Sequence, residues 1–237
     1  MRRETQNLLL LLLGGVVLRV TLDGTYLRYV KAGLAPFLLV SGFGIVTLAV
    51  VAIVGDIGGR HAGEHAHGTG RAPWLLLAPV AVLLLVVPPA LGANAAGSTA
   101  PVRLRIAEEP ETWPFPPLPP GEAPALPLTG LVDRALFDSA RSLDDREVTV
   151  SGFVLAAEHG DGIDLARVVI TCCVADARYI RVHLAGITEP LAEDSWLEVR
   201  GTVATASIHG DPEPTPTMTV TEYRRIERPE NSYERGR

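Results

Sequence analysis

The run from residue 34 to residue 54 contains no charged side chain. An α-helix rises 1.5 Å per residue, so about twenty apolar residues cross the roughly 30 Å of bilayer hydrocarbon. This run has that length, and Pro36 falls in its first turn, where a missing N–H costs least. Two other stretches extend the pattern. Residues 74–91 are also uncharged, with Trp74 suited to a membrane interface, Pro79 a kink point, and Pro88-Pro89 at the end. Residues 8–22 open with six leucines and are interrupted only by Arg19, which can snorkel from near a helix end. Arg2 and Arg3 ahead of the leucines fit a secretory signal as well. The bulky Leu18-Arg19-Val20-Thr21-Leu22, however, offers no small-residue cleavage site. The expectation is a three-span transmembrane anchor over residues 1–91.

Charge changes sign beyond the anchor. Through Leu91 there are seven Lys/Arg against four Asp/Glu, and after it fourteen against twenty-three. An acidic soluble half lacks the clustered positive charge that phosphate contacts need, which argues against nucleic acid. It is long enough for one small domain with its own core. Arg2 and Arg3 favour a cytoplasmic N-terminus, and Arg60 and Arg71 put the second loop on the same side. Arg28 and Lys31 weigh against that count. With three spans the domain is expected outside the membrane of a multi-pass protein. Basic residues are twenty Arg to a single Lys, a bias that fits a GC-rich bacterium and a bacterial cell membrane.

The loop over residues 55–72 gathers His61, His65 and His67 around Glu64. Imidazoles in a glycine-rich loop suit zinc, copper or nickel. A solvated polar loop between helices has the same composition. Residues 92–127 form a Gly/Pro-rich linker. Its proline-dense part, residues 113–120, is expected as an extended spacer holding the domain off the bilayer, in preference to a ligand for another protein's groove.

The soluble domain is expected over residues 128–230, with a disordered tail at 231–237. Leu131, Val132, Ala135 and Leu136 recur at helical spacing behind Thr129 as a cap, predicting a short helix to about Ala140. Alternation then predicts five strands, at residues 147–156, 165–171, 179–184, 196–205 and 217–226. Gly152 suggests a bulge in the first. Five short strands in this span point to a small all-β barrel of the oligonucleotide/oligosaccharide-binding (OB-like) type. The fold class expected is thus membrane-anchored α + β: three transmembrane helices, a short leading helix and that barrel.

The most distinctive local feature is Cys172-Cys173-Val174-Ala175-Asp176-Ala177. Neighbouring residues in a strand face opposite ways, so one cysteine would be buried and the other exposed unless the backbone turns there. Three readings stay open. The cysteines are small core hydrophobes; they are a redox pair; or they bind a soft metal such as zinc with Asp176, and with His183 contributing. No Ser, His and Asp spacing names a catalytic triad and no phosphate loop is present, so nothing argues positively for an enzyme.

These features together resemble the bacterial YcgQ-like membrane proteins, described as subunits of a two-component permease. The resemblance rests on His61, His65 and His67 in the loop, Pro89-Ala90-Leu91, and the Cys-Cys-x-Ala-Asp-Ala block at residues 172–177. Residues 150–154 and 195–201 add to it. It implies a partner, a multi-span permease of the YcgR (YraQ-like) type, and leaves the solute open. The function expected is an accessory permease subunit in the lipid bilayer. Few intramembrane charges favour a subunit over a complete transporter, and Gly42 and Gly44 suit close helix contact. The rival expectation is a membrane-anchored metal-handling or thiol-redox protein using the histidine loop and the cysteine pair.

Overall fold

The computed structural model describes residues 3–57, 89–96, 112–157, 162–204 and 215–235. The chain divides into two compact units, Met1–Pro89 and Ala90–Arg237.

In the first unit, helix α1 (Arg3–Leu22) and helix α2 (Ala35–Ile57) are joined through two 3-10 turns, Thr25–Arg28 and Ala32–Leu34. The helices lie in contact because small residues let their backbones approach. A Cβ on Gly42 would lie 2.8 Å from a Leu18 methyl, whereas one on Gly44 would meet nothing within 4 Å. Phe37, Val40, Phe43, Leu48, Val51 and Val54 of α2 stay exposed, an apolar surface that water does not favour.

The three-span expectation is corrected. Among the described residues one helical stretch, Ala32–Gly55 with mean hydropathy 2.7, is long and apolar enough to cross a membrane. The apolar part of α1, Gln6–Leu22, is shorter. Polar Glu4, Gln6 and Asn7 take up the first turns, and the remainder falls short of about 30 Å of hydrocarbon. The third expected span lies outside the described residues as far as residue 88. So does the loop segment with His61, His65 and His67.

The second unit carries helix α3 (Leu128–Phe137) and strands β1 (Glu147–Ala156), β2 (Ile163–Ile170), β3 (Arg178–Ala185), β4 (Trp196–Ala204), β5 (Thr217–Ile226) and β6 (Tyr233–Arg235). The sheet order is β1-β4-β5-β3-β2-β6, with a further pairing of β1 to β2. Pairings β1–β2, β1–β4, β2–β3 and β4–β5 are antiparallel; β3–β5 and β2–β6 are parallel. The expected all-β, OB-like barrel is therefore corrected to a mixed six-stranded sheet with a helix built into its core. Alternation located five of the strands to within two residues but says nothing of which partners run parallel. The sixth strand falls in the tail expected to be disordered.

Gly152 makes no bulge. It pairs in regular register with Leu197, and the register shift lies between Arg200 and Gly201. What Gly152 allows is a close crossing, since a Cβ there would sit 2.6 Å from the Ala166 carbonyl oxygen.

Two apolar clusters result. Leu128, Leu131 and Leu136 of α3 pack with Val150, Leu165, Val182 and Leu197 from the sheet. On the other side Phe153, Val168, Ile170, Trp196 and Tyr233 gather with Ala177, and Ala90, Leu91, Ala93 and Ala96 pack against them. Part of the expected linker thus belongs to the domain. Its proline-dense stretch is not a free spacer either. Trp113 stacks on Phe137 with ring centroids 5.1 Å apart, and Arg134 donates to the Pro116 carbonyl at 2.8 Å. Residues 97–111 lie outside the described residues.

A carboxylate sits at each end of α3. At its C-terminal end Asp138 accepts the backbone N–H of Ala140 at 2.9 Å and of Ser142 at 3.0 Å. Burial pushes the Asp138 pKa up, but these bonds and that from the Ser142 hydroxyl outweigh it and hold the pKa below its ordinary value. At the start, Thr129 is not the cap. Pro127 occupies that position without a side-chain bond, and Glu234 of β6 accepts the N–H groups of Leu128 and Thr129, each at 2.8 Å.

Candidate thiol and metal site

Strand β2 ends at Ile170, and the next residues turn out of the sheet before the 3-10 turn Val174–Asp176. The alternation argument for one buried and one exposed cysteine therefore does not apply. Cys172 is exposed, Cys173 is half-buried, both are free, and their sulfurs lie 3.6 Å apart. The same turn brings in Asp176, and one donor atom from each of the three residues lies within 4.8 Å of the others.

Asp176 organises the turn. Its carboxylate accepts the N–H of Thr171 and of Cys172, each at 2.7 Å, and that of Cys173 at 3.3 Å. The Cys173 side chain in turn accepts from the Asp176 N–H, a reciprocal cap with sulfur in place of the usual hydroxyl. Val174 and Ala177 anchor the turn in the second apolar cluster. Short polar residues that bond to nearby backbone N–H groups favour such turns over continued strand, which is why β2 stops here.

The electrostatics follow from that geometry. The Cys172 thiol donates to the Asp176 carboxylate and lies against the Cys173 sulfur, which together raise its pKa to about 11. The hydrogen bond from Cys172, with those from the three backbone N–H groups, holds the Asp176 pKa down to about 2. At neutral pH this is an ionised carboxylate holding a protonated thiol, so Cys172 is a poor nucleophile as it stands.

The donor set suits a thiophilic ion. Two thiolates at about 2.3 Å from one tetrahedral zinc stand about 3.8 Å apart, close to the 3.6 Å between these sulfurs. Asp176 keeps lone pairs beyond those its N–H partners use. Cys172, Cys173 and Asp176 can thus hold a metal, with at least one tetrahedral position left open. A disulfide between them fits less well, because adjacent Cα atoms stand about 3.8 Å apart, below the usual 4.4–6.8 Å.

Of the other expected ligands the described residues include only His183, and it is not brought to this turn. His61, His65 and His67 lie outside the described residues. His183 sits across from Asp164, whereas the strand positions next to the turn are Val169 and Arg178. Five residues of strand put it about 17 Å away, with Nδ1 bonded 3.1 Å from the buried Asp164. The sequence reading gave Asp176 only as a ligand and missed its grip on three backbone N–H groups. A carboxylate four residues after a cysteine at a strand end is the local signal for it.

Residues 134–234 match the family model of the DUF1980 C-terminal domain, a stretch that takes in β1 to β5, the first two residues of β6 and the Cys172–Cys173–Asp176 turn. No curated protein sequence matches the chain.

Proposed function

We propose that this chain is a membrane-tethered metal-handling protein, held in the bilayer by α2 and binding a thiophilic d10 ion such as zinc through Cys172, Cys173 and Asp176. The observation that carries this reading is the approach of the two sulfurs to 3.6 Å beside an ionised carboxylate. The role proposed is binding and transfer. An ion held by three donors from one exposed turn keeps an open position, where a further ligand can enter. Loading displaces the Cys172 proton, so affinity rises with pH. Metal content of the detergent-purified protein tests the reading. About one equivalent of zinc is expected per wild-type chain and none after Cys172→Ser with Cys173→Ser. Equal content in the two proteins would end it.

A second reading, that the chain is an accessory subunit of a two-component permease with a multi-span partner of the YcgR (YraQ-like) type, draws support from the exposed apolar side chains of α2. They suit lipid or the helices of another membrane protein. Mild-detergent purification followed by mass spectrometry separates the two. A co-purifying multi-span permease supports the subunit reading, and its absence leaves lipid as the surrounding of α2.

A further inference from the structure

Strand β2 changes partner along one edge. β1 holds that edge from Ile163 to Ala166, and β6 takes it over from Val168 to Ile170. The two side chains at the centre of this contact face opposite ways, as neighbours in a strand must. Tyr233 is buried in the second apolar cluster, and its hydroxyl accepts the Leu91 N–H at 2.9 Å. Glu234 reaches the other way, onto the first two N–H groups of α3, and pairs with Arg167 at 3.3 Å. Arg167 and Glu234 side chains are each only 9% exposed. The guanidinium also lies over the Trp196 ring, 4.8 Å from its centroid. Among the described residues its Nη1 and the nearby Trp196 indole N–H have no hydrogen-bond partner. Positive charge and helix N–H groups therefore converge on the position that the Glu234 carboxylate fills.

We propose that this is a binding groove for an extended Tyr-Glu segment, and that β6 is its exchangeable occupant. The edge of β2 reads backbone, the second apolar cluster takes the tyrosine, and Arg167 with the α3 N-terminus takes the carboxylate. This is strand addition with a charged anchor. The occupant in trans is β6 of a second copy of the chain, because the groove is complementary to that sequence and exchange remakes the same contacts. Only three residues of β6 hold ladder bonds, and Pro229 and Asn231 precede them in a stretch without regular structure. β6 can thus leave without unravelling β1 to β5.

The test uses the full chain carrying Tyr233→Ala and Glu234→Gln, which empties the groove of its own occupant. The probe is a fluorescently labelled peptide of residues 227–235. The variant is expected to bind the peptide and to melt at a higher temperature in its presence. Wild type should bind at least about a hundredfold more weakly, since its own strand competes, and a Glu234→Gln peptide should lose about tenfold on the variant. A folded variant that ignores the peptide, or that binds both peptides alike, overturns the proposal. Should the variant not fold, hydrogen exchange on wild type decides. The amides of 233–235, Leu128 and Thr129 are then expected to exchange together, about tenfold or more faster than those of the β2–β3 ladder. Exchange as slow as that ladder overturns it.

Discussion

Asp176 and Glu234 perform the same hydrogen-bonding task in opposite surroundings. Asp176 collects the N–H groups of three residues just before it, in a solvent-facing turn. Glu234 collects those of Leu128 and Thr129, 106 and 105 residues away, beside a buried arginine. In the first case the carboxylate shapes a small local structure and sets the protonation of the thiol that rests on it. In the second it joins a short strand, a helix start and a buried arginine that lie far apart in the chain. The chemistry of the bond does not decide the role. Burial and sequence distance do.

That contrast is broken most directly at Glu234. Glu234→Ala leaves the Arg167 guanidinium buried without its counter-charge, and is expected to cost about 3–5 kcal/mol. Denaturant unfolding followed by tryptophan fluorescence measures it. A loss below about 1 kcal/mol, the scale of an exposed ion pair, would remove the distinction between the two carboxylates.

At Asp176 the larger effect is on reactivity. Asp176→Asn lets the Cys172 pKa fall from about 11 toward its ordinary 9.0. At pH 8 the thiolate population then rises up to about a hundredfold, and the weaker nucleophile offsets about tenfold of this, leaving alkylation roughly tenfold faster. Timed iodoacetamide labelling of Cys172, with Cys173→Ser as background, checks it. An unchanged rate means that the carboxylate does not hold the thiol proton.

The smallest effect is in acid. The folded-state pKa of Asp176 is depressed, from 3.8 to about 2. Its contribution to stability is therefore present above pH ~4 and lost as pH falls toward ~2. Unfolding curves for wild type and Asp176→Asn should converge across that window. Curves that stay parallel would assign the acid response to other carboxylates.

The same contrast explains how much was legible in the sequence. Cys172, Cys173 and Asp176 lie within five residues, and their grouping could be proposed from spacing alone. What spacing does not carry is the turn that brings the two sulfurs to 3.6 Å. The strands β1 and β5 stood out by alternation, and α3 by the recurrence of Leu131, Ala135 and Leu136. Glu234 was not legible. Tyr233-Glu234-Arg235 is too short and too charged to look like a strand, and its partners are distant in the chain. Thr129 looked like the helix cap because capping residues are local in most helices. Here the cap arrives from another strand. The parallel pairings β3–β5 and β2–β6 were missed for the same reason, since periodicity carries no record of partner or direction.

Whether Cys172 and Cys173 share one metal ion is read out by cobalt(II) substitution. Thiolate ligation to cobalt(II) gives a charge-transfer absorption whose strength follows the number of sulfurs. Wild type is expected to show that band at one cobalt per chain, each single Cys→Ser variant about half of it, and the double variant none. A wild-type protein that takes up cobalt without the band, or a band that survives the double substitution, would mean that the two sulfurs do not share an ion.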